Sequence, residues 1–111
     1  MSVFVREMHP VPGRERRLDG GAVIGRATEC DVRLDDPLVS RRHARVLGSD
    51  IGTGIKDLDS SNGLYVNGWR RRGITPLHPG DVIQLGGTLW MVLRAKEMDQ
   101  LRGTTDRAST T

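Results

Sequence analysis

Apolar residues recur at every second position in short bursts, as at Val3 and Val5, at Ile83 and Leu85, and at Leu89, Met91 and Leu93. A period of two marks strands that bury one face. Turn-forming pairs separate the bursts: Asp19 and Gly20, Asn62 and Gly63, Asn67 and Gly68, Pro79 and Gly80, Gly86 and Gly87. Short strands punctuated in this way describe an antiparallel sandwich or barrel. No sustained i, i+3, i+4 apolar pattern occurs between residues 1 and 94. The pattern predicts strands over residues 2–7, 15–19, 22–25, 32–34, 43–48, 54–58, 64–66, 69–71, 82–85 and 88–94, and an all-β fold built as an antiparallel β-sandwich.

The pattern changes after Arg94. Residues 95–102 have the spacing for one or two helical turns, and residues 103–111 hold no apolar side chain larger than Ala108. The expected organisation is one domain over residues 1–94 and a polar, flexible tail over 95–111, in which Thr104, Thr105, Ser109, Thr110 and Thr111 are candidate phosphorylation sites;.

Composition narrows the function classes. With 111 residues there is room for one domain;. No run reaches the roughly 18 apolar residues of a membrane-spanning helix, and the first residues lack the order of a secretory signal, so a cytoplasmic setting is expected;. A single cysteine, Cys30, excludes an internal disulfide;. Cys30, His9, His43 and His78 also lack metal-ligand spacing, and neither a metal nor a cofactor is expected;.

Charge is distributed unevenly. Residues 40–72 carry seven basic side chains against three acidic ones, whereas the remainder carries ten basic and eleven acidic. Arginine makes up 15 of the 17 basic residues, and its planar fork matches phosphate and carboxylate geometry;. Nucleic acid would suit such charge, but the four aromatic side chains and the lack of a groove-entering helix argue against it;.

Three loop segments hold the candidate chemistry: Gly25 with Arg26, then Ser40 to His43, then Ser60 to Gly63. Taken singly, each has an ordinary explanation as a turn with a solvated charge, a structural histidine and a tight turn. Ser40, His43 and Asp57 include the residue types of a hydrolase triad, but no G-x-S-x-G elbow accompanies them;. A hydroxyl beside two arginines suits anion binding better than nucleophilic attack.

The order of the segments is more specific than any one of them. The blocks AVIGR, CDVRLDDPLVSRRHA, IKDLDSSNGLYVNG and LHPGDVIQLGG, in that sequence, resemble the forkhead-associated (FHA) domain between about residues 22 and 94. The resemblance implies a sandwich of about eleven strands that binds phosphothreonine peptides through loops at one end, without catalysis, as an adaptor or regulatory module. It assigns the phosphate to Arg26 and Ser40, a second phosphate contact to Arg41, a donor to Ser61, and the peptide backbone to Asn62. Gly25, His43, Gly63 and Asn67 take supporting roles, with Gly68, Asp57, Gly80 and Asp81 as turn scaffolding. The implied partners are a phosphothreonine-bearing protein and the Ser/Thr kinase that modifies it; the phosphorylated tail is a candidate internal ligand. Nucleic acid and membrane are not among the implied partners.

Leu38 stands where some relatives carry a charged residue that reads the peptide. Nothing in the resemblance says whether Trp69 and Arg70 to Arg72 face it. Threonine preference in the family is attributed to a small slot for the γ-methyl, and a tight slot discriminates one methyl by about 10- to 200-fold.

Overall fold

The computed structural model describes residues 2–94. Eleven strands, β1 (Ser2–His9), β2 (Glu15–Asp19), β3 (Val23–Gly25), β4 (Val32–Arg33), β5 (Ala44–Ser49), β6 (Gly52–Asp57), β7 (Leu64–Val66), β8 (Trp69–Arg71), β9 (Thr75–Pro76), β10 (Val82–Leu85) and β11 (Thr88–Val92), form two sheets. One has six strands in the order β2-β1-β11-β10-β7-β8 and the other five in the order β4-β3-β5-β6-β9. The expected helical turn over residues 95–102 and the polar tail lie outside the described residues. No described helix is long and apolar enough to cross a membrane.

The sandwich fold agrees with the sequence pattern, with two local differences. First, β9 went unpredicted, because Thr75 and Pro76 are too few to show a period; they are a strand only because Ile55 and Gly54 pair with them. Second, β4 runs parallel to β3, pairing Ile24 with Val32 and Gly25 with Arg33. Parallel neighbours normally need a crossover of about a dozen residues or more. Here β4 is only two residues long, so a short connection returns the chain to its starting edge.

The core lies between the sheets. Val5, Leu18, Ile24, Val46, Ile55, Leu64, Ile83, Leu85 and Trp90 are fully buried and belong to one cluster. On β11 the inward side is Thr88, Trp90 and Val92, while Leu89 and Met91 are half-buried on the outer face.

Register in the five-stranded sheet decides where the loops emerge. Ile24 pairs with Ala44, and Ala44 with Asp57, so one row crosses β3, β5 and β6. The residues just beyond that row are Gly25 and Arg26, His43, and Leu58 with the turn that follows. All therefore leave the sheet at the same end. The last of these segments then crosses to the six-stranded sheet, where Leu64 pairs with Leu85 immediately before Gly86.

Candidate functional site

His43 organises the loop end. It is fully buried and has a hydrogen bond at each ring nitrogen. The Ser40 backbone N–H donates to Nδ1 at 3.0 Å, and Nε2 lies 2.8 Å from the Gly63 carbonyl. A backbone amide can only donate, so Nδ1 carries the lone pair and Nε2–H donates to Gly63. One neutral imidazole thereby ties two loops that are 20 residues apart in sequence.

A second buried link holds the same turn. The Ser60 hydroxyl donates to Asp57 Oδ1 at 2.5 Å and accepts the Gly63 N–H at 3.0 Å. The Ser60 N–H reaches Asp57 Oδ2 at 3.3 Å. Ser60 and Asp57 are both buried, and leaving such groups unpaired costs about 1–3 kcal/mol each;.

These anchors place the candidate donors. The Ser40 hydroxyl accepts the Ser61 backbone N–H at 2.9 Å, so its own proton remains for a ligand. That bond commits the Ser61 amide and leaves the Ser61 hydroxyl as the group it can offer. Arg26 is fixed at both ends: its N–H donates to the Ser40 carbonyl at 3.0 Å and its Nε to the Val39 carbonyl at 3.0 Å. Among the described residues neither of its Nη nitrogens has a partner, so the outer edge of the fork is exposed for an anion. Asn62 donates one amide hydrogen to the Leu38 carbonyl at 2.8 Å and keeps its Oδ1 and second hydrogen. Arg41 is exposed, while its carbonyl accepts from Ala27 N at 3.1 Å and from Cys30 Sγ at 3.0 Å.

Gly25 is a glycine for want of space. A Cβ there would collide with the Arg41 carbonyl oxygen and stand 2.8 Å from its carbon and 2.9 Å from Cys30 Sγ. Gly63 has φ of 86°, a conformation that side chains disfavour;.

The structure thus brings Arg26, Ser40, Arg41, Ser61 and Asn62 together with Gly25, His43 and Gly63. Asn67 is elsewhere. It lies at the opposite end of β7, where its amide donates to Asp81 Oδ1 at 3.0 Å and its Oδ1 accepts the Val82 N–H at 2.9 Å. It holds the β7–β8 hairpin on β10. The triad types do not assemble either, since Asp57 bonds Ser60 and the His43 lone pair takes an amide proton rather than the Ser40 hydroxyl.

One contributor escaped the sequence reading. Asp36 accepts the Leu38 N–H at 2.9 Å with Oδ1, and with Oδ2 accepts Gly87 N at 2.9 Å and Thr88 Oγ1 at 3.0 Å. It braces the Ser40 loop against the β10–β11 hairpin. The Asp-Pro-Leu turn signals the local bond, but nothing local signals the hairpin.

Free guanidinium edges and hydroxyl protons, held on loops by buried polar anchors, define a loop-borne oxyanion-binding module on a β-sandwich. The chain belongs to the FHA family: the model described as FHA domain matches residues 22–86. It is 44% identical over 77 residues to the ABC transporter ATP-binding/permease protein Rv1747 of Mycobacterium tuberculosis, covering 68% of this chain and 9% of that one. A solved FHA domain from work on phosphothreonine-dependent interactions superposes with a TM-score of 0.74 at 34% identity, covering 85% of this chain and 97% of the other. EmbR of Mycobacterium tuberculosis, solved in complex with a low-affinity phosphopeptide, superposes with a TM-score of 0.76 at 30% identity, covering 83% of this chain and 24% of that one. The chain spans less than half the length of the curated relatives it matches.

Proposed function

We propose that this chain is a phosphothreonine-reading interaction module in a Ser/Thr kinase pathway, acting without catalysis as an adaptor or regulatory domain. The observation that carries the reading is the pairing of Arg26 and Ser40. The arginine is clamped by its Nε and the serine by its acceptor lone pair, so a free guanidinium edge and a free hydroxyl proton are both held in place before any ligand arrives. A phosphothreonine presents about −1.5 to −2 charge and three acceptor oxygens, and rewards donors that need no reordering. Arg41 adds positive field, the Ser61 hydroxyl is a further donor, and Asn62 pairs with the peptide main chain. Gly25, His43 and Gly63 keep these groups in place. The setting is cytoplasmic, where ATP-dependent kinases write the mark.

Calorimetric titration with a degenerate phosphothreonine peptide pool tests this. Binding is expected for that pool, weaker binding for the phosphoserine pool and none for the unphosphorylated one. Arg26→Ala removes the fixed guanidinium and is expected to weaken binding at least about 100-fold, within the 2–5 kcal/mol typical of truncating one side of a charge-assisted pair. Equal affinity for phosphorylated and unphosphorylated pools, or an unaffected Arg26→Ala protein, overturns the reading. Loss spread over many arginines with a steep salt dependence would indicate nucleic acid instead.

A further inference from the structure

A cation stands beside the phosphate site that the phosphate does not account for. The Asn67 and Gly68 turn has φ of 53° and 85°, the geometry that closes a two-residue hairpin, and it sets Tyr65 directly across from Arg70;. Leu64 and Val66 are buried, so Tyr65 faces the outer side of the six-stranded sheet, as do its cross-strand partners Arg70 and Gln84;. The Arg70 side chain folds back over the loop. A Cβ built on Gly63 would stand 2.9 Å from Arg70 Nε, 3.1 Å from its Cζ and 3.3 Å from Tyr65 Cε1.

Thus a planar guanidinium lies against the bare Cα of Gly63 and near the edge of the Tyr65 ring, one residue from Asn62. Here a cavity of about 410 Å³ opens, lined by Leu38, Asn62, Tyr65, Gly68, Gln84 and Gly86. Gly86 packs against the Leu38 backbone and closes it toward the Ser40 loop, since a Cβ on Gly86 would stand 2.8 Å from the Leu38 carbonyl carbon. The groove is continuous with the phosphate site through Asn62. Its chemistry is an amide from Asn62, an amide from Gln84, a phenol and the nearby cation, with Leu38 as the exposed apolar wall. Among the described residues Arg70 has no carboxylate within ion-pair distance.

We propose that the Arg70 guanidinium, held on Gly63 and Tyr65 beside Asn62, pairs with an Asp or Glu carboxylate that flanks the phosphothreonine, so that the domain selects an acidic residue at one defined position of its peptide. The inference rests on the phosphothreonine reading and adds to it a specificity element outside the phosphate-binding loops. Arg70 is exposed but its side chain rests against Gly63, and a planar fork loses less entropy per hydrogen bond formed than a flexible ammonium would;. A second negative group in the peptide meets a fork shaped for a carboxylate.

The test is a phosphothreonine peptide scan in which each position on either side of the phosphoresidue is varied among Asp, Ala and Lys. It is run on the unaltered protein, Arg70→Ala, Arg70→Glu and Arg71→Ala, the last changing the neighbouring arginine whose side chain takes the opposite pleat direction. The quantity read is the ratio of Asp-peptide to Ala-peptide affinity at each position. The unaltered protein is expected to prefer Asp about fivefold at one position, the upper end for an exposed ion pair. Arg70→Ala brings that ratio to about one, Arg70→Glu shifts the preference to Lys at the same position, and Arg71→Ala keeps the Asp preference. A flat profile, an acidic preference spread evenly over all positions, or one that survives Arg70→Ala overturns the inference while leaving phosphothreonine binding standing. Failure of every phosphothreonine peptide to bind the unaltered protein overturns both.

Discussion

The two ends of the sandwich are built differently. At the loop end, buried polar groups meet at 2.5–3.0 Å: Ser60 with Asp57, Gly63 with Ser60, His43 with Ser40 and Gly63. At the opposite end, the tip of the β5–β6 hairpin is held by exposed contacts of 3.4 Å from Ser49 to Gly52 and to Ile51. Ile51 there is 99% exposed and Ile74 65% exposed. The same strands supply both ends, so the difference lies in what the loops must do. A loop that offers donors to an anion has to hold them still, and it does so by burying other polar groups beneath them with all their bonds made. A turn that only reverses the chain has no such requirement.

Substitutions can break this contrast, and the largest effect is expected at its centre. His43→Ala strips the partner from the Ser40 N–H and the Gly63 carbonyl and leaves a cavity, a combined loss of about 3–5 kcal/mol in urea unfolding. Phosphopeptide affinity is expected to fall with it, because Ser40 loses its anchor. A cost below about 1 kcal/mol would mean that the loop end is no more demanding than the far end. Next comes Gly86→Ala, which places a side chain at φ of 58° and against the Leu38 backbone. We expect a cost of about 1–3 kcal/mol and displaced amide signals over residues 36–40; unmoved signals there would refute the bracing role given to this contact. The smallest change belongs to Ile51→Ser. Stability within about 0.5 kcal/mol of the unaltered protein and an unchanged phosphopeptide affinity are expected, and a larger loss would reveal packing or function at the far end.

Some of this was open to reading along the chain. Apart from β9, the period of two located the sandwich strands to within two residues, but on β11 it did not reveal the phase. Leu89 and Met91 look like the buried side, yet Trp90 and Val92 fill the core, because the larger ring completes the space between the sheets. The loop residues Arg26, Ser40, Ser61 and Asn62 were recognisable from their order. Which atoms they lend to one another was not. The Ser61 amide turned out to be engaged by Ser40, and Asn67, similar in type to Asn62, serves the far end of β7. Asp36 could be seen as a turn former but not as the brace to Gly87 and Thr88, which follow it by 51 and 52 residues.

The sequence by itself determined the strand periodicity, the positive-φ turns at Asn67 and Gly68, and the set of side chains able to bind an anion. Each of these follows from steric or chemical properties of residues close together on the chain. Tertiary structure decided that β4 lies parallel to β3, that the imidazole of His43 spends its lone pair on Ser40 and its proton on Gly63, and that Arg70 comes to rest over Gly63 beside Asn62. Those outcomes depend on which strand edges meet and at what register, and a hydrogen bond takes its direction from a neighbour that only the folded chain brings within reach.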